Sequence, residues 1–288
     1  MQAPKLSLSP SQWAPIDTLI DPESLSEARK QLYRGVQLVS AFSRAILPEE
    51  EDDSHAFLYW EAGQQQLISR PIGYNQPHHI GLHLPSFELR SFNRKGEVIN
   101  RLALQGTKKA EALAWLSNET RCPLKKLQLP YDMPYIPLAA EDSYQLPEPH
   151  CMEFFCAAFN NGSLILGPLA VEFPDTEIPG CKPETLDYLC VMTTQVNIET
   201  RDFHQLHLGL SLGDADYPLP YFFVSMWPEP DTSTLPYLEG PGQWVTFPWV
   251  GLMLQAETLA QYPPAHQQQV AESFIMKGID CCQEVMAG

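Results

Sequence analysis

The feature that most constrains the fold is a run of prolines near the middle of the chain. Six prolines lie between residues 121 and 149, at positions 123, 130, 134, 137, 147 and 149. Proline lacks a backbone N–H donor and clashes with the preceding helical turn, so this density excludes a regular helix or a central strand. We therefore predict a first lobe at 1–121, a proline-rich connector at 122–149 and a second lobe at 150–288. Since 288 residues with 44% hydrophobic side chains can also build one large core, one compact domain is the alternative.

The first lobe begins with a helical pattern and continues with strand patterns. Apolar residues recur at three- and four-residue spacing across positions 25 to 46, which predicts an amphipathic helix over 24–46. Thr107 is the expected N-cap of a second, shorter helix. Short β-type runs lie between the two helices, at 55–60, 66–70, 78–84, 87–93 and 97–104. The last two runs flank a hairpin turn at 93–96.

The second lobe mixes both patterns again. We predict helices at 151–159, from Pro183 onward and at 267–285. Strands are predicted at 164–173, 203–212, 221–227 and 243–254. Because strands and helices do not alternate as they do in parallel α/β proteins, the chain is predicted to be α+β, with antiparallel sheets packed against amphipathic helices. The tetrapeptides Pro-Glu-Ser-Leu and Pro-Glu-Thr-Leu, at 22–25 and 183–186, suggest a duplicated helix-plus-strands unit as an alternative.

Negative charge is concentrated in the second half of the chain. The formal net charge is -17; residues 1–145 carry 15 basic and 17 acidic side chains, whereas residues 146–288 carry 3 and 18. Such a chain repels phosphate backbones and anionic lipids, so neither nucleic acid nor a membrane is an expected partner. No uninterrupted apolar stretch approaches about 18 residues, and the first residues lack the apolar core of a signal peptide. We therefore expect a cytoplasmic location and leave the oligomeric state open.

The seven cysteines predict thiols rather than a disulfide framework. They form no C-x-x-C pair, and their number is odd. We expect buried or free thiols in a reducing compartment.

Several segments resemble a bacterial family described only as a domain of unknown function. The sequence Gln-Leu-Val-Ser-Ala-Phe-Ser-Arg at 37–44 is similar to that family's Gln-Ile-Val-Gly-Lys-x-Arg-Leu helix. His55 falls near the family's His-Trp-Trp segment, and Arg-Pro-Ile-Gly-Tyr at 70–74 resembles its Ser-Pro-Ile-Pro-Tyr strand end. The sequence at 221–230 is similar to the family's aromatic strand, which closes in Tyr-Pro-Glu-Pro.

The chain departs from this family at polar and aromatic positions. The family's Lys and Arg fall on Ala41 and Ser43, and its tryptophan pair falls on Ala56 and Phe57. The resemblance covers about half of the chain and implies a shared fold. It brings no established activity, so function must be argued from the residues themselves.

One function hypothesis is a serine hydrolase that uses Ser211. Residues 209–213 match the G-x-S-x-G nucleophile elbow, and Asp231 and His266 follow in the chain order of α/β-hydrolases. The elbow works because a helix starts directly after the serine and helps to form the oxyanion hole. Residues 214–220 contain two prolines, so a strand that ends in a glycine turn is the competing interpretation.

A second hypothesis is a metal-dependent enzyme that uses His and Asp residues near 202–216. Asp202 and His204 are the candidate ligands, since residues two apart on a strand lie about 7 Å apart on one face. His207 would join them only in a helix. Because these residues match no recognised ligand motif, we expect no bound metal. The chain also lacks the glycine motifs of phosphate binding, so no nucleotide cofactor is expected.

The densest feature is an aromatic and proline-rich region at 217–249. On a strand, Tyr221, Phe223 and Trp227 share one face, and the segment at 243–249 alternates in the same way. Such residues build cores, or they line a pocket in which an aromatic side chain places a polar tip beside an apolar wall. The favoured hypothesis is a non-catalytic protein that binds a small, partly apolar ligand or a protein partner here, and the acidic second half favours a cationic ligand. The candidate ligand-binding residues are Tyr221, Phe223, Trp227, Trp244 and Trp249.

Overall fold

The structure is a computed structural model that describes residues 12–16, 18–72, 78–127, 142–197 and 202–287. It confirms the α+β class, because helices accompany two antiparallel sheets. Some sequence-based predictions fall outside the described residues. They concern residues 73–74 of the family resemblance, residues 128–141 of the connector and the side chain of Asp202.

The chain divides into two compact units that do not coincide with the boundaries drawn from the sequence. The first unit contains Glu23–Cys156 and Gly180–Leu186 among the described residues. The second unit consists of Gln12–Pro22, Ala157–Pro179 and Asp187–Gly288. The division therefore falls inside a helix and not in the proline-rich segment.

The first unit is built on helix α1, which spans Pro22–Ile46. The predicted apolar stripe of α1 is confirmed, because four of its residues are fully buried: Leu32, Val36, Val39 and Phe42. Gly35 allows α1 to lie close to the sheet, because a Cβ at this position would be 2.8 Å from Leu82 Cδ2. Burying such a stripe against a sheet is what stabilises a helix of this length.

The sheet of the first unit is an antiparallel meander in the order β1-β2-β3-β4-β5. Its strands are Tyr59–Glu61, Gln66–Ile68, His79–His83, Glu88–Phe92 and Val98–Ala103. The predicted strand at 55–60 is wrong over its first half, because Ser54–Ala56 forms a 3₁₀ turn. The hairpin at 93–96 is confirmed: the Asn93 amide donates to the Glu97 carbonyl, and Gly96 has a φ of 77°.

Helix α2 spans Lys109–Thr120, and the predicted N-cap is wrong. The Thr107 hydroxyl donates to the Ala103 carbonyl, whereas the Glu111 carboxylate accepts the Lys108 amide at the start of the helix. The first unit is completed by the two-residue strand β6, Gly180–Cys181.

In its described residues the second unit has five strands in the order β10-β11-β9-β8-β7. These strands are β7 at Tyr188–Asn197, β8 at Asp202–Ser211, β9 at Tyr221–Trp227, β10 at Gln243–Val245 and β11 at Gly251–Gln255. The helices are α3 at Pro149–Leu166, which enters the second unit at Ala157, α4 at Leu169–Glu172, α5 at Ala256–Leu259 and α6 at Pro264–Ala287. Strand β9 is central, with β8 on one side and β11 on the other, as its two apolar faces predicted.

Three predictions for the second half are wrong. The predicted strand at 243–254 is two antiparallel strands, β10 and β11, because residues 246–250 turn the chain back. The predicted strand at 164–173 is helical, because α3 continues to Leu166 and α4 follows. A short, continuous apolar run has the same pattern in a helix as in a strand. Pro183 starts a turn and not a helix, and Leu186 there has a φ of 64°. The tetrapeptide likeness therefore does not mark a duplicated unit.

The helical stretch Pro149–Glu172 is long and apolar enough to span a membrane by length and composition, and half of its most apolar window is buried inside the protein. Core helices of soluble proteins have the same character. The sequence-based expectation missed this stretch because polar residues such as Asn160 and Asn161 interrupt it.

All seven cysteines are buried thiols that form no disulfide, as their spacing predicted. Burial raises the pKa of the Cys156, Cys190 and Cys282 thiols to about 12. Because the thiolate is the reactive form, these three side chains act as small apolar residues.

Candidate functional site

The sheet of the second unit has two faces of different character. One face carries Phe222, Val224 and Leu252, and we call it the helix-covered face. Helix α6 packs on it, since a Cβ at Gly278 would lie 2.8 Å from Val224 Cγ2. The ring of Trp13 stacks against Phe222 at a centroid distance of 6.4 Å.

The opposite face carries most of the predicted ligand-binding residues. We call it the aromatic face, and its buried cluster is Leu189, Tyr221, Phe223, Val245 and Met253. Val191, Tyr217 and Trp249 pack against this cluster and are only partly buried. The residues that solvent reaches are therefore at the margin of the cluster, and two of them are aromatic.

Two glycines make room for the large rings on this face. A Cβ at Gly209 would lie 2.3 Å from Phe223 Cζ, so the phenylalanine ring covers β8 at this glycine. A Cβ at Gly251 would lie 2.5 Å from Trp249 Cζ3, so the indole covers β11 in the same way. Glycine inside a strand commonly marks such a close approach.

The rings form a contiguous cluster around Tyr221. Trp249 stacks on Tyr221 with a centroid distance of 6.2 Å and an interplanar angle of 14°. Tyr217 meets Tyr221 edge to face at 5.6 Å, and Phe223 meets Trp249 edge to face at 6.2 Å. These are the offset and T-shaped geometries that aromatic quadrupoles favour.

The phenol of Tyr221 is held by polar groups at the edge of the cluster. Its hydroxyl donates to Asp214 Oδ2 at 2.8 Å and is also hydrogen-bonded to Ser211. Burial raises the pKa of Tyr221 well above its ordinary value, and the nearby Asp187 and Asp214 carboxylates raise it further. The phenol is therefore neutral at physiological pH and acts as a hydrogen-bond donor to Asp214.

Asp214 is fixed by the loop in which it lies. Its Oδ1 accepts the backbone N–H groups of Asp216 and Tyr217, each at 2.8 Å. This is the turn geometry that aspartate favours in loops, and it places Tyr217 beside Tyr221. The second unit contains 17 acidic and 2 basic residues. Of the basic residues, Lys277 pairs with Glu239 at 3.5 Å, and Arg201 lies outside the described residues.

The structure brings together three of the five candidate ligand-binding residues. Tyr221, Phe223 and Trp249 are in mutual contact on the aromatic face. Trp227 belongs to the same face, but it lies at the end of β9 and is 53% exposed. Trp244 pairs with Leu252 and so belongs to the helix-covered face; its indole donates to the Pro236 carbonyl at 2.8 Å.

Ser211 does not lie in a nucleophile elbow. It is the last residue of β8 and is buried, and its Oγ accepts the Gly213 amide at 3.2 Å. No helix follows in residues 212–220, and the surrounding sheet is antiparallel. The Asp231 carboxylate accepts the Ser233 amide in an exposed turn, and His266 is exposed at the start of α6. The features that make the elbow serine reactive are therefore missing around Ser211.

The metal hypothesis gains no support from the described part of the chain. No group of three His, Cys, Asp or Glu side chains lies together there as metal ligands would. His204 is on strand β8, so His207 points to the other face and cannot join it. Because the side chain of Asp202 is not described, the pairing of Asp202 with His204 stays a prediction.

Three of the four segments that resemble the family contribute side chains to a charged cluster of the first unit; the fourth, at 221–230, belongs to the second unit. Arg44 and Asp53 form an ion pair, and Asp53 Oδ1 lies 3.6 Å from His55 Nε2. The nearly fully buried His55 ring also accepts the Glu50 amide at Nδ1, and Arg70 pairs with the Glu50 carboxylate at 2.9 Å. Burial raises the pKa of the Asp53 carboxyl. Each charged side chain of this cluster lies beside one of opposite charge. Such pairing is typical of a structural cluster that holds a loop in place.

Comparison of the chain with protein-family models, with curated proteins and with solved structures found no match in any of the three. The resemblance to the family with a domain of unknown function therefore stays a prediction.

Tyr217 is a site residue that the sequence pattern did not predict, and the link between Asp214 and the aromatic cluster was not predicted either. The sequence Asp-Ala-Asp-Tyr-Pro at 214–218 is itself a turn signal, because aspartate accepts backbone N–H groups two and three residues ahead. The turn could thus have been found. The contact between the Tyr217 and Tyr221 rings could not, because it depends on tertiary packing.

Proposed function

We propose that this protein binds a small, partly apolar ligand on the aromatic face of its second unit. The observation that carries the proposal is the ring cluster of Tyr217, Tyr221 and Trp249 beside a carboxylate-held phenol. Ligand sites typically combine a mainly apolar wall with a few placed polar groups, and this margin offers both.

Partial burial of the outer rings supports the same proposal. Tyr217 and Trp249 are half-buried, so a ligand can contact them without opening the sheet. Tyr221 and Phe223, which are buried behind them, hold the outer rings in place. Because the rings are already packed against one another, their side chains lose little conformational freedom when a ligand binds.

The test is a ligand-observed NMR screen of small alcohols, amines, carboxylic acids and amides that carry apolar groups. Hits should bind the wild type and lose binding to Trp249→Leu, which keeps an apolar side chain but removes the indole. Trp244→Leu is the matched control, because Trp244 belongs to the opposite face. Hits that respond equally to both variants, or to neither, would contradict the proposal.

A protein partner is the second candidate function. Three large aromatic side chains in the same region are more than half exposed: Trp227 at 53%, Phe247 at 84% and Tyr237 at 88%. Exposed aromatic residues are enriched at interfaces. The simplest partner is a second copy of the chain, which sedimentation velocity of wild type and Trp227→Ser/Phe247→Ser would detect. A monomeric wild type at high concentration would contradict self-association.

A further inference from the structure

The chemical class of the ligand follows from the charges around the aromatic cluster, if the proposed function holds. The Asp214 carboxylate accepts the Tyr221 hydroxyl at 2.8 Å, and the Asp187 carboxylate lies close enough to raise the pKa of the same phenol. They lie in a unit with 17 acidic and 2 basic residues, and one of those bases, Lys277, already pairs with Glu239. The potential at the margin of the cluster is therefore negative and favours a positively charged ligand.

The rings add a second and independent preference for a cation. An aromatic ring attracts a positive charge held over its face within about 6 Å, and tryptophan and tyrosine do so most strongly. The ring centroid of Tyr221 lies 5.6 Å from that of Tyr217 and 6.2 Å from that of Trp249. One small cation at their margin can therefore contact more than one ring.

The hydrogen bonds of Asp214 decide which kind of cation fits. Its Oδ1 already accepts two backbone N–H groups, and its Oδ2 accepts the Tyr221 hydroxyl. A primary ammonium carries three N–H donors, and each needs an acceptor when it leaves water. A quaternary ammonium has no donors and is attracted by charge and by ring faces alone. We propose that the aromatic face binds a ligand with a methylated, quaternary ammonium head group, which rests on Tyr217 and Trp249 beside Asp214.

The decisive comparison uses choline and its neutral carbon isostere, 3,3-dimethyl-1-butanol, with ethanolamine as the primary ammonium. Isothermal titration calorimetry of the full chain at constant chloride concentration gives each dissociation constant. Choline should bind at least tenfold more tightly than the isostere and than ethanolamine. Equal or tighter binding of the isostere or of ethanolamine would overturn the quaternary ammonium assignment.

The outcomes separate this inference from the proposed function. If choline does not bind while other compounds bind in a Trp249-dependent manner, the head-group assignment is wrong and the site remains. If no compound in the screen depends on Trp249, both proposals are wrong.

Charge variants test the electrostatic part. Asp214→Asn should weaken choline binding at least fivefold and leave binding of the neutral isostere within twofold. Asp216→Asn is the matched control, because it removes the same charge from an exposed side chain two residues away, and it should change choline binding less than twofold.

Since Asp214 also holds its turn, Asp187→Asn provides a second variant that leaves the turn intact and should weaken choline binding as well. An unchanged choline affinity in both Asp214→Asn and Asp187→Asn would overturn the assignment.

Discussion

The two faces of the sheet in the second unit are both apolar, but they are enclosed in different ways. On the helix-covered face, α6 approaches so closely that Gly278 has no room for a Cβ beside Val224. On the aromatic face, the sheet supplies the glycines, Gly209 and Gly251, and the rings of Phe223 and Trp249 lie over them. The first arrangement makes a closed core. The second leaves ring surfaces and a carboxylate at a half-exposed margin, where binding is feasible.

The largest expected difference between the two faces is in the stability lost when an aspartate replaces one of two neighbouring residues of β9. Val224→Asp should lower the free energy of unfolding by about 4 kcal/mol, because the charge has no partner beneath α6. Ser225→Asp, on the opposite and partly exposed face, should cost only about 1 kcal/mol. Urea unfolding followed by circular dichroism measures both. Equal losses would show that the two faces are equally enclosed.

A smaller effect is expected where the aromatic face depends on glycine. Gly209→Ala should cost about 1 to 3 kcal/mol, since its Cβ would collide with the Phe223 ring and force the ring to move. Gly63→Ala is the control, because no atom lies within 4 Å of its Cβ position, and it should stay within about 1 kcal/mol of wild type. A neutral Gly209→Ala would mean that the Phe223 ring is not fixed.

The hydroxyl of Tyr221 should contribute less to stability than the close packing at Gly209 does. Tyr221→Phe removes the hydrogen bonds of this hydroxyl to the Asp214 carboxylate and to Ser211, and it should lower the free energy of unfolding by about 1.5 kcal/mol. Tyr237→Phe, at an 88% exposed position, should have no measurable effect. Chemical unfolding at pH 7 compares the two variants, and equal effects would argue against a structural role for this hydroxyl.

The smallest expected effect is that the Tyr221 hydroxyl contributes less to the free energy of unfolding at alkaline pH. Burial raises the pKa of Tyr221 in the folded protein above the ordinary value of 10.0, so only the unfolded chain releases this proton just above that pH. The folded state then binds more protons than the unfolded state, and stability falls as pH rises. The difference in unfolding free energy between wild type and Tyr221→Phe should therefore shrink from pH 9 to pH 11. A constant difference would show that the phenol is accessible to water.

Local patterns were sufficient for the elements whose apolar residues keep a regular spacing. Helix α1 and strands β3 to β5 lie where that spacing placed them, even though residues 35–43 of α1 and most of β3 and β4 are buried on both faces. The end of α3 was predicted as a strand because its residues are apolar on most sides, and periodicity then carries no signal. The turn at Pro183 has a helix-start sequence, yet the chain continues into β7 two residues after Leu186.

The candidate site shows the same limit. Alternation along β9 correctly placed Tyr221 and Phe223 on one face. Alternation along 243–249 also put Trp244 and Trp249 on opposite faces, but it could not show which of the two indoles contacts Tyr221, because the chain leaves the sheet between β10 and β11. Only pairing across the sheet fixes that relation.

Composition and local spacing predict the α+β class, the amphipathic helix α1, the central position of β9 and the concentration of negative charge, since each depends on residue content or on neighbours a few residues apart. Tertiary structure decided which aromatic residues meet, that Asp214 holds the Tyr221 hydroxyl, and that Ser211 ends a strand in an antiparallel sheet. Those relations join strands and loops through packing and register. A local pattern specifies which face a side chain occupies, but not the partner that it meets there.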